Sequence, residues 1–371
     1  MATVTAKIQI YVSDSDTESL ILTSNAYRKA CNWLSGKVFE SKELNQRNLN
    51  ALYYKELRNA FGLKSQMAQS VMKTVLARYK SAKSNGHNWS QVIFKLPEYD
   101  LVWNRDYSLN QNRFSVNTLD GRLRVKFEKK AMNRYFDGTW KFGTAKLVHK
   151  AGKWFLHIPM TKAFAELDPA DTNNIVGIDL GINFLATAYD SQGKTTFYSG
   201  RTIKHKRAQQ KAVRKQLQQK QTASARKRIK ETGSRENRYV TDINHQITKA
   251  LVEQYPVGTC FVLEDLTGVR NATEKVRTKD RYVSVSWAFY QFRTLLTYKA
   301  QLNGQCVLVV NPKYTSQTCP KCGHVEKANR NKRTHTFCCK NCRYTSNDDR
   351  IGAMNLHRKG VEAISAGAAP A

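Results

Sequence analysis

The chain has 371 residues, 41% of them hydrophobic and 10% aromatic, which is enough for two or three domains with cores and too apolar for a disordered basic tail. Lys and Arg number 61 against 29 Asp and Glu, a formal net charge of +32. A small-molecule enzyme does not need that excess, so a polyanion is expected as partner, nucleic acid above all. No apolar stretch approaches the roughly 18 residues of a membrane span, and the opening MATVTAKIQIYV alternates where a signal peptide would carry an apolar block.

Val4, Ile8, Ile10 and Val12 predict an opening strand. From about Asp16 to Lys83 the period is helical: Leu49, Tyr53, Leu57 and Phe61, then Met67, Val71, Val75 and Tyr79, with Gly62 as the break. Residues 89–162 hold short Val-, Phe-, Tyr- and Trp-rich segments separated by Gly and Asn, an antiparallel pattern expected to close a small barrel with the first strand. A polar stretch with a proline, 167–174, reads as a linker. Strands are then expected at 175–180, 184–189 and 195–199, an amphipathic helix from Val240, a strand at 259–266, a helix at 286–300, a strand at 305–312 and a short helix near 348–358. This is mixed α/β order with a frayed tail.

Eight cysteines occupy positions 31, 260, 306, 319, 322, 338, 339 and 342, and five of them fall within 24 residues. That is metal-site spacing, and it implies a reducing, cytosolic compartment. Cys319-Pro-Lys-Cys322 and Cys339-Lys-Asn-Cys342, sixteen residues apart, supply four thiolates for one tetrahedral Zn²⁺. Cys338 breaks the spacing, and His324 and His335 are surplus once four cysteines are in place. Four protein ligands leave no open position, so this zinc is structural.

Chemistry must lie elsewhere. Asp179 interrupts the apolar run Ile175-Val-Gly-Ile-Asp-Leu-Gly181, and Glu264 ends another, Cys260-Phe-Val-Leu-Glu264. Buried carboxylates are costly unless paired or bound to a cation, so two such strands suggest a shared site. A third acid is expected from Asp348 or Asp349, where Gly352 and Ala353 let a helix approach the sheet closely; helical geometry alone does not choose between them. Asp265 points to the opposite strand face from Glu264. Three oxygen ligands on a cationic scaffold suit two Mg²⁺ or Mn²⁺ ions acting on a phosphodiester.

Residues 201–230 carry twelve Lys or Arg and no acid. Arg201, Lys204, Lys206, Arg207, Lys211, Arg214, Lys215, Arg226, Lys227 and Arg228 are expected to track phosphates, since such a run repels itself without a bound polyanion. On the helix around 64–80, Gln66, Gln69 and Lys73 share a face suited to adenine edges and a phosphate. Tyr53 and Tyr54 are candidates to pack on bases, although Tyr53 also lies on the apolar stripe and a core role stays open.

Gly177-Ile-Asp-Leu-Gly181, Leu263-Glu-Asp-Leu266, Tyr314-Thr-Ser-Gln-Thr-Cys-Pro-Lys-Cys-Gly323 and Asn347-Asp-Asp-Arg-Ile-Gly-Ala-Met-Asn-Leu356 occur in that order. Together they resemble the RuvC-type nuclease half of the transposon-encoded TnpB family, relatives of the compact type V CRISPR effectors, over roughly residues 175–360. The N-terminal half matches that family in layout only. The resemblance implies a multidomain α+β chain: an N-terminal β-barrel (wedge), 1–15 plus 89–172; a helical recognition insert, 16–88; a ribonuclease H-like α/β (RuvC) domain, 173–312 plus 346–362; an inserted zinc ribbon, 313–345; and a disordered tail, 363–371. It assigns the catalytic acids to Asp179, Glu264 and Asp349, the last by its distance of seven residues from Cys342. Here the sequence departs from the family's Asp-Arg-Asp, reading Asn347-Asp348-Asp349, so Asp348 stays an alternative; Arg343 also replaces the usual glycine after the last cysteine. The implied activity is RNA-guided cleavage of double-stranded target DNA by a monomeric protein in a ribonucleoprotein with its guide RNA, in the cytoplasm of a prokaryote at the nucleoid. A strand-transferring transposase and a nuclease-silent RNA-guided regulator are the competing readings.

Overall fold

The computed structural model describes residues 2–96, 98–110, 113–127, 130–150, 152–266 and 288–367. They divide into two compact units, Met1–Ala163 and Phe164–Ala371.

In the first unit, β1 (Ala2–Tyr11) is followed by α1 (Asp14–Ser41), α2 (Gln46–Phe61) and α3 (Ser65–Ser84). Gly62 takes the left-handed conformation (φ 63°) and ends α2 where the sequence predicts a break. The helices lock through Tyr27 and Thr74 (2.9 Å) and through Ser35 and Tyr79 (3.0 Å). Short strands follow: β2 (Tyr99–Leu101), β3 (Tyr107–Asn110), β4 (Arg113–Thr118), β5 (Gly121–Phe127), β6 (Lys141–Phe142), β7 (Ala145–Lys150) and β8 (Lys153–Lys162). The sheet order is β2-β7-β8-β1-β5-β4-β3, with β6 beside β8. Its two end strands are chain neighbours, so the sheet nearly closes on itself. β1 fills the gap between β8 and β5 because its alternate residues Ala6, Ile8 and Ile10 are buried while their neighbours face outward.

The second unit holds a five-stranded mixed sheet. β9 (Asn174–Asp179), β10 (Phe184–Asp190) and β11 (Thr195–Ser199) form an antiparallel meander; α4 (Arg201–Lys220) and α5 (Ala223–Gln254) then lead to β12 (Thr259–Glu264). After α6 (Phe289–Leu302) and β13 (Cys306–Val310), the order is β11-β10-β9-β12-β13, with β9, β12 and β13 parallel. The helix expected from 286 begins at Phe289, and residues 286–287 lie outside the described residues. Val176, Ile178, Phe261 and Leu263 project to one face and pack on Leu251 of α5 and on Phe292 and Leu296 of α6. The other face, with Ile175, Cys260 and Val262, is covered by α7 (Asp348–Ser365), notably Leu356. That helix outlasts the expected 348–358 by two turns and takes in the first residues assigned to a tail, because Ala363 and Ile364 still pack on the sheet. The stretch 167–174 is likewise anchored: Leu167 joins that face and Pro169 is buried.

Between β13 and α7 lie β14 (Arg330–Asn331), β15 (Thr336–Cys338) and β16 (Thr345–Asn347), a small antiparallel sheet.

Candidate active site

Strand alternation decides where the two strand acids point. Ile175, Gly177 and Asp179 share the α7 side of β9, and Cys260, Val262 and Glu264 share the same side of β12. β9 and β12 run parallel with Ile178 opposite Leu263, so Asp179 and Glu264 each stand one residue beyond that pair, at the carboxyl ends of neighbouring strands. Open α/β sheets bind ligands at such ends. Asp265, one residue on, is near Arg293 of α6 (3.9 Å), on the opposite face as the alternation requires.

α7 meets β9 with almost no gap. A Cβ on Gly177 would sit 2.2 Å from the carbonyl oxygen of Ala353, and one on Gly352 would sit 2.8 Å from Cγ of Asp179. These two glycines bring the first turn of the helix down to the strand ends, where a Cβ on Gly181 would lie 3.9 Å from an oxygen of Asp349. Asn347 caps the helix, its Oδ1 accepting from the backbone N–H of Asp349 (3.0 Å) and of Arg350 (3.1 Å).

The acids act on one another electrostatically. Burial pushes the Asp179 carboxyl well above the usual carboxylate range, and the charges of Glu264 and then Asp349 push it further. Burial also raises Glu264, opposed by a hydrogen bond from Thr315 and by Lys359. Asp349 is raised by burial and then by Asp348, against Arg330 and His335. Asp179 and Glu264 nonetheless keep partial contact with solvent, so the site is open to a ligand. Carboxylates are the donor type that a hard divalent cation takes.

Asp348 has a different environment. Its side chain is fully buried, with Oδ2 accepting from Nε of Arg330 (2.8 Å) and lying 3.6 Å from His335. Arg330 also reaches Asp349, at 3.8 Å. His335 in turn bonds Asn183 (2.6 Å), whose Oδ1 accepts from Lys204 (2.8 Å). Nothing in the local sequence pattern marks Arg330 or His335 for this role, His335 being surplus to the zinc ligands there.

The four cysteines converge. Cys319 faces Cys342 and Cys322 faces Cys339, both at 3.6 Å, and all four sulfurs lie within 4.8 Å of one another. Among the described residues no three carboxylates reach that mutual spacing. Cys338, His324 and His335 stay outside the sulfur group. The Cys322 thiol is pulled down to about 6, chiefly by a hydrogen bond from the backbone at His324, which favours the thiolate that binds metal. Each knuckle closes with a left-handed residue after its second cysteine, Gly323 (φ 74°) and Arg343 (φ 60°), so the arginine makes the same turn without the glycine. Four sulfurs at this spacing fit Zn²⁺.

The basic run forms the α4–α5 hairpin. Arg201, Lys204, Lys206, Lys211, Lys215, Arg226, Lys227 and Arg228 are exposed. Two members are tied down: Arg207 is buried near Glu236 (3.8 Å), and Arg214 pairs with the same carboxylate (2.9 Å). Lys206 lies over the Tyr239 ring. In the first unit Gln66 accepts from Arg105 (2.9 Å), Gln69 is half-buried, and Lys73 is exposed. Tyr53 packs edge-on against Trp33, while Tyr54 donates to Ser65 (2.8 Å) beneath Arg58.

With that geometry in place, comparisons define the class. A family model described as probable transposase matches residues 157–271, and one described as Cas12f1-like, TNB domain, matches 289–356. The solved structure of a Cas12f1–sgRNA–target DNA complex superposes with a TM-score of 0.59 at 14% identity, covering 96% of this chain and 98% of that one. The mini-RNA-guided endonuclease Cas-phi3 gives 0.59 at 11% identity, covering 97% and 92%. The chain therefore has the mixed helix-and-sheet fold of the compact Cas12 effectors.

Within that class, the CRISPR-associated endodeoxyribonuclease Cas12f1 of Syntrophomonas palmitatica is 28% identical over 74% of this chain and 57% of its own length. TnpB-like protein MJ0751 of Methanocaldococcus jannaschii is 27% identical over 63% of this chain and 83% of its own. The putative RNA-guided DNA endonuclease InsQ of Escherichia coli is 28% identical over 66% and 64%. The chain is thus similar to TnpB-like and Cas12f proteins over part of its length, and it spans under three fifths of the two Cas12f1 proteins that match at 57% and 58% of their length.

Proposed function

We propose that this protein is the RNA-guided DNA endonuclease of a transposable element, cutting double-stranded DNA beside a short duplex motif by metal-dependent phosphodiester hydrolysis. The observation that supports the reading is the pair of carboxylates, Asp179 and Glu264, at the ends of neighbouring parallel strands, with the first turn of the helix carrying Asp349 packed on Asp179 through Gly352. The printed names of the relatives, endodeoxyribonuclease and RNA-guided DNA endonuclease, agree with it.

In this reading Asp179, Glu264 and Asp349 hold two Mg²⁺ or Mn²⁺ ions. Such ions, when bound, supply an activated water and offset the charge that develops on the departing 3′ oxygen. The protein's own part is to hold three carboxylates toward one site despite their burial and mutual repulsion. Cys319, Cys322, Cys339 and Cys342 hold one structural Zn²⁺, which fixes the ribbon carrying Arg330. The exposed lysines and arginines of the α4–α5 hairpin grip the phosphates of a guide RNA and its DNA partner, leaving sequence selection to base pairing. Gln66, Gln69, Lys73, Tyr53 and Tyr54 are the proposed readers of the duplex motif. The wedge, helical insert, RuvC-like domain and zinc ribbon, with the bounds given above, and a monomeric ribonucleoprotein in a prokaryotic cytoplasm belong to the same reading. Among the described residues no helix is long and apolar enough to cross a membrane.

The test is to sequence the RNA that co-purifies with the protein and to challenge the complex with a plasmid carrying the matching target and randomised flanks. Mg²⁺-dependent linearisation next to one enriched flank, lost in Asp179→Ala, is expected. Strand transfer that needs no RNA would establish the transposase instead, and tight target binding without cutting by the wild type would establish the regulator.

A further inference from the structure

Glu264 ends β12 and has an unusual anchor. Its Oε1 takes a hydrogen bond from the hydroxyl of Thr315, a residue 4% exposed in the chain leading into the first cysteine knuckle. The same hydroxyl lies 3.0 Å from the carbonyl oxygen of Pro312. A hydroxyl has one proton to give. Beside an ionised Glu264 it is directed to the carboxylate, where a charge-assisted bond is the stronger of the two.

Thr315 is itself held. Asn355, 1% exposed on α7, donates from Nδ2 to the carbonyl oxygens of Thr315 (2.7 Å) and Thr318 (2.8 Å). Its Oδ1 is buried with no hydrogen-bond partner among the described residues, so those two donations orient the amide. A buried amide that leaves its acceptor unsatisfied is costly, which argues that the double donation is what the position is built for. Asn355 and Asp349 lie on one helix. That helix delivers one acid directly and reaches a second through the knuckle's lead-in chain.

The geometry points to Thr315 and Asn355 as positioning residues for Glu264: Asn355 pins residues 315–318, and Thr315 holds the carboxylate in a single orientation. This deepens the proposed function and rests on it. Oε2 of Glu264 makes no hydrogen bond among the described residues and is left for a cation. Thr315 touches neither substrate nor ion, so its effect is on how tightly the carboxylate binds, and losing an outer partner of a metal-ligating group typically costs 10- to 100-fold in affinity.

The experiment measures Mn²⁺ binding by the full-length, zinc-loaded protein from the loss of the free-Mn²⁺ electron paramagnetic resonance signal, with zinc content and Tm recorded for each variant. Thr315→Val keeps the shape and removes the donor; it is expected to weaken Mn²⁺ binding about 10-fold or more, with zinc and Tm unchanged. Thr315→Ser restores the donor and should bind within about twofold of wild type. Glu264→Gln is the control for the site itself and should weaken binding at least as much. If Glu264→Gln weakens Mn²⁺ binding and Thr315→Val does not, the positioning role is overturned while the metal site stands. If Glu264→Gln leaves binding unchanged, the site and the inference fall together. Should Thr315→Val lose zinc or fold, Thr315→Ala against Thr315→Ser decides by the same criterion.

Discussion

Asp348 and Asp349 are consecutive, both buried, and both in the first turn of one helix, yet Arg330 engages them unequally. Arg330 donates to Asp348 at 2.8 Å and stands 3.8 Å from Asp349, whose carboxylate lies beside Gly181 and whose charge acts on Asp179. Asp349→Ala should therefore reduce cleavage about a thousandfold or more, as loss of a charge-organising group at the reacting centre does. Asp348→Asn should leave cleavage within about tenfold of wild type and instead cost about 2 kcal/mol of stability, because it removes the charged partner of a buried ion pair. In a unit of this size that is a fall in Tm of roughly 4 to 8 °C, measured on the zinc-loaded chain. Asp179, Glu264 and the four cysteines were legible because each is anomalous where it stands: an acid in an apolar strand, a thiol pair at fixed spacing. In the sequence Asp349 is favoured over Asp348 by resemblance alone; the ion pair that engages Asp348 comes from Arg330, eighteen residues upstream, and Thr315 bonds Glu264 across fifty-one.

At the scale of elements, α7 is what turns a sheet into a site. Its amphipathic pattern and the small residues Gly352 and Ala353 predicted a close approach, and the contact of Gly352 with Asp179 is the form that approach takes. Gly352→Ala separates this role from helix stability. Alanine is the better helix former by about 1 kcal/mol, so the helix itself gains. The new Cβ must displace the Asp179 carboxyl, and a shift near 1 Å at reacting groups costs about a hundredfold. The expected result is cleavage reduced about a hundredfold with Tm within a few degrees of wild type; unimpaired cleavage would show that α7 does not set the position of Asp179. The strands of this unit were legible from their apolar runs, and β12 and β13 fell close to the expected bounds. The end of α7 and the anchoring of residues 167–174 were not, since both depend on apolar contacts made with the sheet after it forms. In the basic hairpin, charge counting could not separate Arg207 and Arg214, held by Glu236, from their exposed neighbours.

For the whole molecule, a net charge of +32 was readable from composition, and the change of pattern after the polar stretch 167–174 falls a few residues past the boundary between the two units at Ala163 and Phe164. The near-closed sheet of the first unit followed from alternation, but its strand order, with β1 inserted between β8 and β5, rests on pairings over 100 residues apart that no local signal encodes. The central claim belongs to the second unit: carboxylates from β9, β12 and α7 serve one cation site. Anomalous diffraction at the manganese edge, from crystals of the zinc-loaded protein soaked in MnCl₂, tests it most directly. The account predicts a peak within about 2.5 Å of carboxylate oxygens from Asp179, Glu264 and Asp349, absent in Asp179→Ala crystals. Manganese bound elsewhere, with no peak touching Asp179 or Glu264, would contradict it.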